Sequence, residues 1–412
     1  CAAGAPARPG EEPAASSARP MIEHLTHQED ERMASHRKTI ALVVLTFGTA
    51  VALLGSAVAG VAQPKIGVLM PLSGKGASYG AHQQVAIKMF QDKGEALKLV
   101  IYDTRGENTD AINLTRKLIG SDQVLAIVGP LFSGESEVTF PVAVQGKTPI
   151  ITPTSAKPGI AAANRPWAFR NALTSDKLDG ALIDRWLAAN PSVKKVVILL
   201  DTKDAVSKSD GSVVLPAALK SRGITVLDSI SFQTGDIDYS AQVTKAKSLN
   251  PDGVVVAALY NEGANVVREV RKQGMTQPIV AGLGVMDPRF IELAGPAAEG
   301  VMTVNDFWTD NPDPAVARWV AEYKKRSPTP PSNAAALMYD TLDIVRSCAE
   351  KSGLSGKPDD LEKDRERMRD CLAKVKDYKA PVTGGTTFDE HGDAVRQPVV
   401  LVVRQGRFES VR

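Results

Sequence analysis

Residues 65–80 read KIGVLMPLSGKGASYG. The apolar run Lys65–Met70 is followed by a glycine-rich loop and then by a helical pattern over Ala81–Asp92. A short, continuous apolar run bounded by turn residues is what a strand covered on both faces looks like. Such a strand–loop–helix unit can cradle a phosphate, and Asp103 ends the next apolar run, near where a dinucleotide site keeps its ribose carboxylate. The spacing argues against that. Pro71-Leu72-Ser73 separate the strand from Gly74, and the interval from Gly76 to Gly80 is one residue too long for G-x-G-x-x-G. The stretch therefore reads as the first βα unit of a parallel sheet without a nucleotide, and Asp103 as a strand-end residue with no assigned ligand role.

The pattern repeats outward from there. Apolar runs at Leu97–Tyr102, Val124–Val128 and Thr148–Thr152 alternate with helical stretches at Asp110–Ile119 and Ser136–Gln145. This βα series predicts a parallel sheet with helices on both faces. A second series has strands at Lys195–Leu200, Thr225–Leu227, Gly253–Leu259, Pro278–Ala281 and Val301–Val304. Two long helices follow, Pro314–Arg326 and Ser332–Lys351, then a charged stretch, KPDDLEKDRERMRD, read as a solvated helix face. The chain ends in a hairpin-like pair of strands turning at Gln405-Gly406. The fold class is α/β, with two doubly wound parallel-sheet lobes joined by crossover segments.

The 412 residues allow two or three domains, and a net charge of +2 gives no pull toward nucleic acid. Residues 1–32 are expected to be disordered or a mis-called extension, being rich in Ala, Pro, Gly and Ser at the start. Residues 33–62 carry MASHRK and then TIALVVLTFGTAVALLGSAVAGVA, a basic and then an apolar segment ending in small residues. That is the pattern of a signal peptide cleaved before Gln63, with a membrane anchor as the competing reading. Either reading exports the remainder. In an oxidising compartment, Cys348 and Cys371 on consecutive helices favour a disulfide over two separate buried thiols. No metal site is expected, since His82 and His391 lack partners at ligand spacing.

Open α/β sheets bind ligands beyond the carboxyl ends of their strands. Those loops carry Ser133 and Ser136 in GPLFSGES, and Thr152, Thr154 and Ser155 in TPTSAKPG. Hydroxyls and free N–H groups together suit a carboxylate, although each such residue also serves as a plain helix cap. No G-x-S-x-G elbow and no histidine pair is present, so catalysis is not expected.

KIGVLMPLSGKGASYG, LVIYDTRGENTDAINLTRKLIGSDQVLAIVGPLFSGES and TPIITPTSAKP resemble the amino-terminal lobe of leucine/isoleucine/valine-binding proteins. ANVVREVRKQGM, ELAGPAAEGVM, ALMYDTLDIV and FDEHGDAV resemble later blocks of the same family. These are periplasmic type I solute-binding proteins of branched-chain amino acid ABC transporters. The resemblance implies a Venus-flytrap whose lobe 1 spans 64–175 and 305–380 and whose lobe 2 spans 176–304 and 381–412. It implies a periplasmic monomer that carries a small carboxylate-bearing solute to an inner-membrane permease with ATPase subunits, without a cofactor. A ligand-sensing receptor, or a binder of a non-amino-acid carboxylate or an amide, is the alternative.

By the same resemblance, Tyr79 covers the ligand, Ser133 holds its carboxylate, and Thr152, Thr154 and Ser155 lie in the contacting segment. In the second lobe Tyr260 or Asn261 matches a family tyrosine. Leu283 stands where amino-acid binders place the glutamate that pairs the ligand ammonium, and Ala334 stands near another site tyrosine. Either Asp287, Glu262 or Asp201 replaces that glutamate, or the ligand is a carboxylate or other polar solute without an ammonium.

Overall fold

The computed structural model describes residues 63–94 and 97–411. The leader reading of 33–62, and the segment before it, lie outside the described residues. Lys65–Met70 (β1) pairs in parallel with Lys98–Asp103 (β2) on one side and Ala126–Val128 (β3) on the other. Ile150–Thr152 (β4) and Ala168–Arg170 (β5) complete a five-stranded sheet in the order β2-β1-β3-β4-β5. The helices Ala77–Gln91 (α1), Asn108–Gly120 (α2) and Ser133–Gln145 (α3) connect them.

The apolar runs are continuous because both faces are covered. Successive strand residues point to opposite faces. Val68 and Met70 enter a core shared with α1 and the C-terminal helices, while Leu69 enters one shared with Leu118 and Phe140. Each fully buried residue of this kind contributes about 1.5–3 kcal/mol.

Ser175–Ala189 (α4) opens the second lobe. Its sheet takes Lys195–Asp201 (β6), Thr225–Phe232 (β7), Gly253–Ala257 (β8), Ile279–Ala281 (β9) and Met302–Asn305 (β10). Ala205–Ser209 (α5) and a π-turn at Asp210–Val214 lead into Leu215–Lys220 (α6); Ser240–Ser248 (α7), Tyr260–Lys272 (α8) and Pro288–Ala294 (α9) complete this lobe's helices. Next come Pro314–Lys324 (α10), Asn333–Lys351 (α11) and Leu361–Ala373 (α12), then a small antiparallel sheet of Tyr378–Ala380 (β11), Gly384–Phe388 (β12) and Ala394–Val395 (β13). Val399–Arg404 (β14) and Arg407–Ser410 (β15) return to the second sheet as antiparallel edge strands, giving the order β15-β14-β10-β9-β8-β6-β7.

Four features differ from the expectation. The first helix starts at Ala77, so Tyr79 lies on its first turn rather than in a loop. Gly76 makes that start with φ 75°, and a Cβ on Gly80 would stand 1.8 Å from the Pro71 carbonyl oxygen, so the helix packs directly on the preceding loop. β5 was not expected, because its last residue is a fully buried arginine. The charged stretch forms α12, whose Arg365 is buried and donates to the carbonyls of Ile119, Val124 and Gly146. Finally, Val382, Phe388 and Ala394 pack in the core of the first lobe, so the chain re-enters the second lobe after Val395 rather than at residue 381.

Three crossovers join the lobes, and one residue from each meets at the hinge. Arg396 donates to Asn171 Oδ1 at 2.5 Å and lies 3.8 Å from Asp306. Asp306 also accepts from Leu173 N at 3.2 Å. Cys348 and Cys371 form a disulfide between α11 and α12.

Candidate functional site

The carboxyl ends of β1, β3 and β4 face those of β6, β8 and β9, and the lobes meet over a cavity of about 50 Å³. This is room for about four waters. Tyr79, Leu131, Phe132, Ser133 and the segment Thr154–Ala156 line it from the first lobe, with Asn333 and Ala334 from α11. The second lobe contributes Val206, Leu259, Leu283 and Gly284.

The hydroxyl side is built by local chain geometry. Thr152 Oγ1 donates to Pro130 O at 2.7 Å and accepts from Ser155 N at 3.1 Å, so it fixes the turn that follows β4. Thr154 Oγ1 donates to Leu131 O at 2.9 Å. Ser133, the first residue of α3, accepts from Ser155 Oγ at 3.1 Å and from Lys157 N at 3.2 Å. With its lone pairs engaged, the Ser133 hydroxyl proton is left to donate. Arg170 supports this segment from below, donating to Ser155 O at 3.1 Å and Lys157 O at 2.6 Å while its Nε holds Asp393 at 2.8 Å.

Closure rests on contacts made by the residues quoted at the outset. Tyr79 donates to Gly284 O at 2.7 Å, and its ring meets Tyr260 edge-on with centroids 5.0 Å apart. Ser78 Oγ lies 3.1 Å from both Asp287 oxygens, and Lys75 Nζ lies 3.0 Å from Asp204. Asp103 ties the same loop down by accepting from Leu72 N and from both the amide and the hydroxyl of Ser73.

Burial shifts several groups here. It pushes the Tyr79 phenol well up, helped by the Asp287 carboxylate, so the hydroxyl stays protonated. It raises Asp287 to about 6 and Glu135, at the start of α3, to about 7. It lowers His82 to about 4, leaving a neutral ring whose Nδ1 is 2.7 Å from the Tyr323 hydroxyl.

Of the residues named from sequence, Tyr79, Ser133, Thr154 and Ser155 line the cavity. Thr152 lies behind it as a turn residue. Tyr260 is half-buried against Tyr79, and Asn261 is exposed and turned to Glu262. Asp287 is fully buried, caps α9 through Arg289 N and closes on Ser78, outside the cavity. Sequence reasoning missed Leu131, Phe132, Val206, Leu259, Gly284 and Asn333. Leu131, Phe132 and Leu259 lie within a few residues of the ends of β3 and β8, so the strand-end rule applied to apolar residues would have found them. Among the described residues no group of three or more His, Cys, Asp or Glu side chains is placed to hold a metal ion, and no helix is long and apolar enough to cross a membrane.

Residues 63–407 match the family model described as periplasmic binding protein. A Leu/Ile/Val-binding protein homolog of Brucella melitensis is 26% identical over 351 residues, covering 83% of this chain and 91% of its own. A leucine-binding protein structure from Thermotoga maritima superposes with a TM-score of 0.77 at 28% identity, covering 85% of this chain and 98% of that one. A branched-chain amino acid transporter substrate-binding protein from Streptococcus pneumoniae, solved with isoleucine, gives 0.75 at 26% identity over 85% of this chain and 99% of that one.

Proposed function

The chain belongs to the periplasmic binding protein family, and from that premise we propose that it is the extracytoplasmic solute-binding component of an ABC importer. It closes its two lobes on a small carboxylate-bearing solute such as a branched-chain amino acid. It then delivers that solute to an inner-membrane permease driven by ATPase subunits. The observation that carries this reading is the cavity between the lobes, with Ser133, Thr154 and Ser155 on one wall and cross-lobe contacts beside it. Relatives that span nearly the same length bind leucine, isoleucine or valine by name, which supports a small solute that bears a carboxylate. The protein acts in the periplasm as a monomer and performs no catalysis. Among the described residues, Tyr79 is the one ionisable residue lining the cavity, and its proton is committed to Gly284.

A thermal-shift and calorimetric screen tests this. A solute at 100 times its dissociation constant stabilises the folded protein by about 2.7 kcal/mol. Ser133→Ala weakens a carboxylate ligand by about 1–3 kcal/mol. A screen in which no small carboxylate stabilises the protein, or a Ser133→Ala variant with unchanged affinity, contradicts the reading.

A further inference from the structure

The cavity has polar side chains on the first-lobe wall, and none of the described residues lining it is an acid that would balance a cation. Among the described residues, none that lines it apart from Tyr79 is ionisable. Facing the hydroxyls of Ser133 and Ser155 are Val206, Leu259 and Leu283.

The backbone also favours an anion, from both walls. Four helices of 13 residues or more begin at lining residues. Tyr79 is in the first turn of α1, Ser133 is the first residue of α3, Leu259 immediately precedes α8, and Asn333 is the first residue of α11. Helix N-termini carry partial positive charge and unpaired N–H groups, which favour an anion and oppose a cation.

Five backbone carbonyls of the lining residues each already take one donor, which leaves them a single lone pair at most. Gly284 O takes the Tyr79 hydroxyl and Leu131 O takes Thr154. Ser155 O takes Arg170, Ala156 O takes Ser175 N, and Leu259 O takes Gly263 N.

Nor does a nearby carboxylate reach in. Asp287 is held by Ser78 and Arg289 N, Glu262 by Gly235 N, and Asp201 by Thr234 and Lys203 N. Asp204 is paired with Lys75 and caps α5. Asp210, the carboxyl near Gly282, is buried among Ser175, Asp176, Asp179 and Asp204 and pushed up to about 7. None of the five lines the cavity. An ammonium placed here would find only neutral acceptors, such as the Asn333 amide, and no carboxylate to balance its charge, and a buried charge without a counter-charge is strongly unfavourable.

We propose that the solute is a small aliphatic monocarboxylate without an ammonium group, held by its carboxylate at Ser133 with its apolar body against Leu259 and Leu283. This rests on the carrier reading and narrows it.

Two matched pairs test the inference by calorimetry on the wild-type protein: 3-methylbutanoate against valine, and 4-methylpentanoate against leucine. Each pair differs by the ammonium alone. The acids are expected to bind at least tenfold tighter than their amino acids, and 4-methylpentanoate at least tenfold tighter than 4-methylpentanamide. Leu283→Glu, which places a carboxylate on the apolar wall, is expected to move the leucine-to-acid ratio at least tenfold toward leucine. The wild-type ratios decide the matter even if that variant does not fold. Tighter binding of valine or leucine than of its deaminated partner overturns this inference and leaves the carrier reading standing. Binding of neither member of either pair overturns both.

Discussion

Tyr79, on the first turn of α1, donates its hydroxyl to the carbonyl of Gly284 at 2.7 Å, so a side chain of one lobe is bonded to the backbone of the other. The phenol is 7% exposed and its pKa is raised by burial, so it remains a donor throughout the neutral range. In the open form both groups return to water. Tyr79→Phe therefore acts on closure rather than on folding. Loss of a net hydrogen bond costs about 0.5–1.5 kcal/mol, and a stranded buried carbonyl raises that toward 3 kcal/mol. The expected result is a ligand affinity about tenfold weaker, with a larger radius of gyration by small-angle scattering at limiting ligand and little change in melting temperature of the unliganded protein. A variant that closes and binds as the parent does shows that Tyr79 is no latch.

Glu135 gives a pH dependence of definite sign. Its carboxyl titrates near 4.5 in the unfolded chain and near 7 in the folded protein, because burial disfavours the charged form. Between those values the folded state holds a proton that the unfolded state has lost. Stability from this group is thus present below pH 4.5 and declines as pH rises to 7, by on the order of 3 kcal/mol. Glu135→Gln keeps an acceptor for Phe132 N, which Glu135 now serves at 3.1 Å, and removes the titration. Urea unfolding at pH 5 and pH 7.5 should show the variant gaining on the wild type as pH rises. A difference that stays constant across that range removes Glu135 as the cause.

His82 works in the opposite direction. Its folded pKa of about 4 lies below the ordinary 6.5, again because of burial. The unfolded chain takes up the proton first as pH falls, so this contribution is complete above about 6.5 and is lost toward pH 4. The ring packs on Tyr323 and sits 3.9 Å from Asp287, so acidification should loosen the α1–α10 contact. Monitored by NMR of the imidazole, His82 should resist protonation until about pH 4; a midpoint near 6.5 contradicts this account.

The main strands were legible because both faces of the sheets are covered. Val196–Leu200 alternates between two cores yet never meets solvent, so the run stays apolar throughout. β5 was not legible for the converse reason. Ala168–Arg170 ends in a buried charge, and what makes that tolerable is Asp393, 223 residues away. The start of α1 was masked by Gly76 and Gly80, which read as loop although one initiates the helix and the other lets it sit against Pro71. Within the site, the hydroxyls after β3 and β4 followed from the strand-end rule. The second lobe did not, because Tyr260 and Asn261 begin α8 while the residue before them, Leu259, is the one that lines the cavity. Polar residues attract attention as ligands, and here the wall is apolar.

The Cys348–Cys371 bridge closes a loop of sequence separation 23 and joins α11 to α12. On the chain-entropy account a loop of this length contributes about 3 kcal/mol. The cysteines lie far in sequence from the hydroxyl segment. Cys348→Ala/Cys371→Ala should thus lower the denaturant midpoint while ligand affinity of the folded fraction is unchanged. Equal midpoints for the variant and the oxidised parent would show that the bridge carries no stability.

Arg170 links the stability of the fold to the shape of the site. It is fully buried at the end of β5, bonded to Asp393, and it supplies donors to the carbonyls of Ser155 and Lys157. Ser155 and Lys157 in turn supply the two donors that orient Ser133. Removing one partner of a buried ion pair leaves the other unpaired, at a cost of about 3–5 kcal/mol. Arg170→Met should therefore destabilise by that amount and also weaken ligand binding. Arg170→Met with Asp393→Leu removes both charges and should recover most of the stability, yet leave the Ser155 and Lys157 carbonyls without their donor. The expected double variant is folded but binds its carboxylate several-fold more weakly than the parent. Full recovery of both stability and affinity would show that Arg170 serves the fold alone and that the Ser133 seat is held without it.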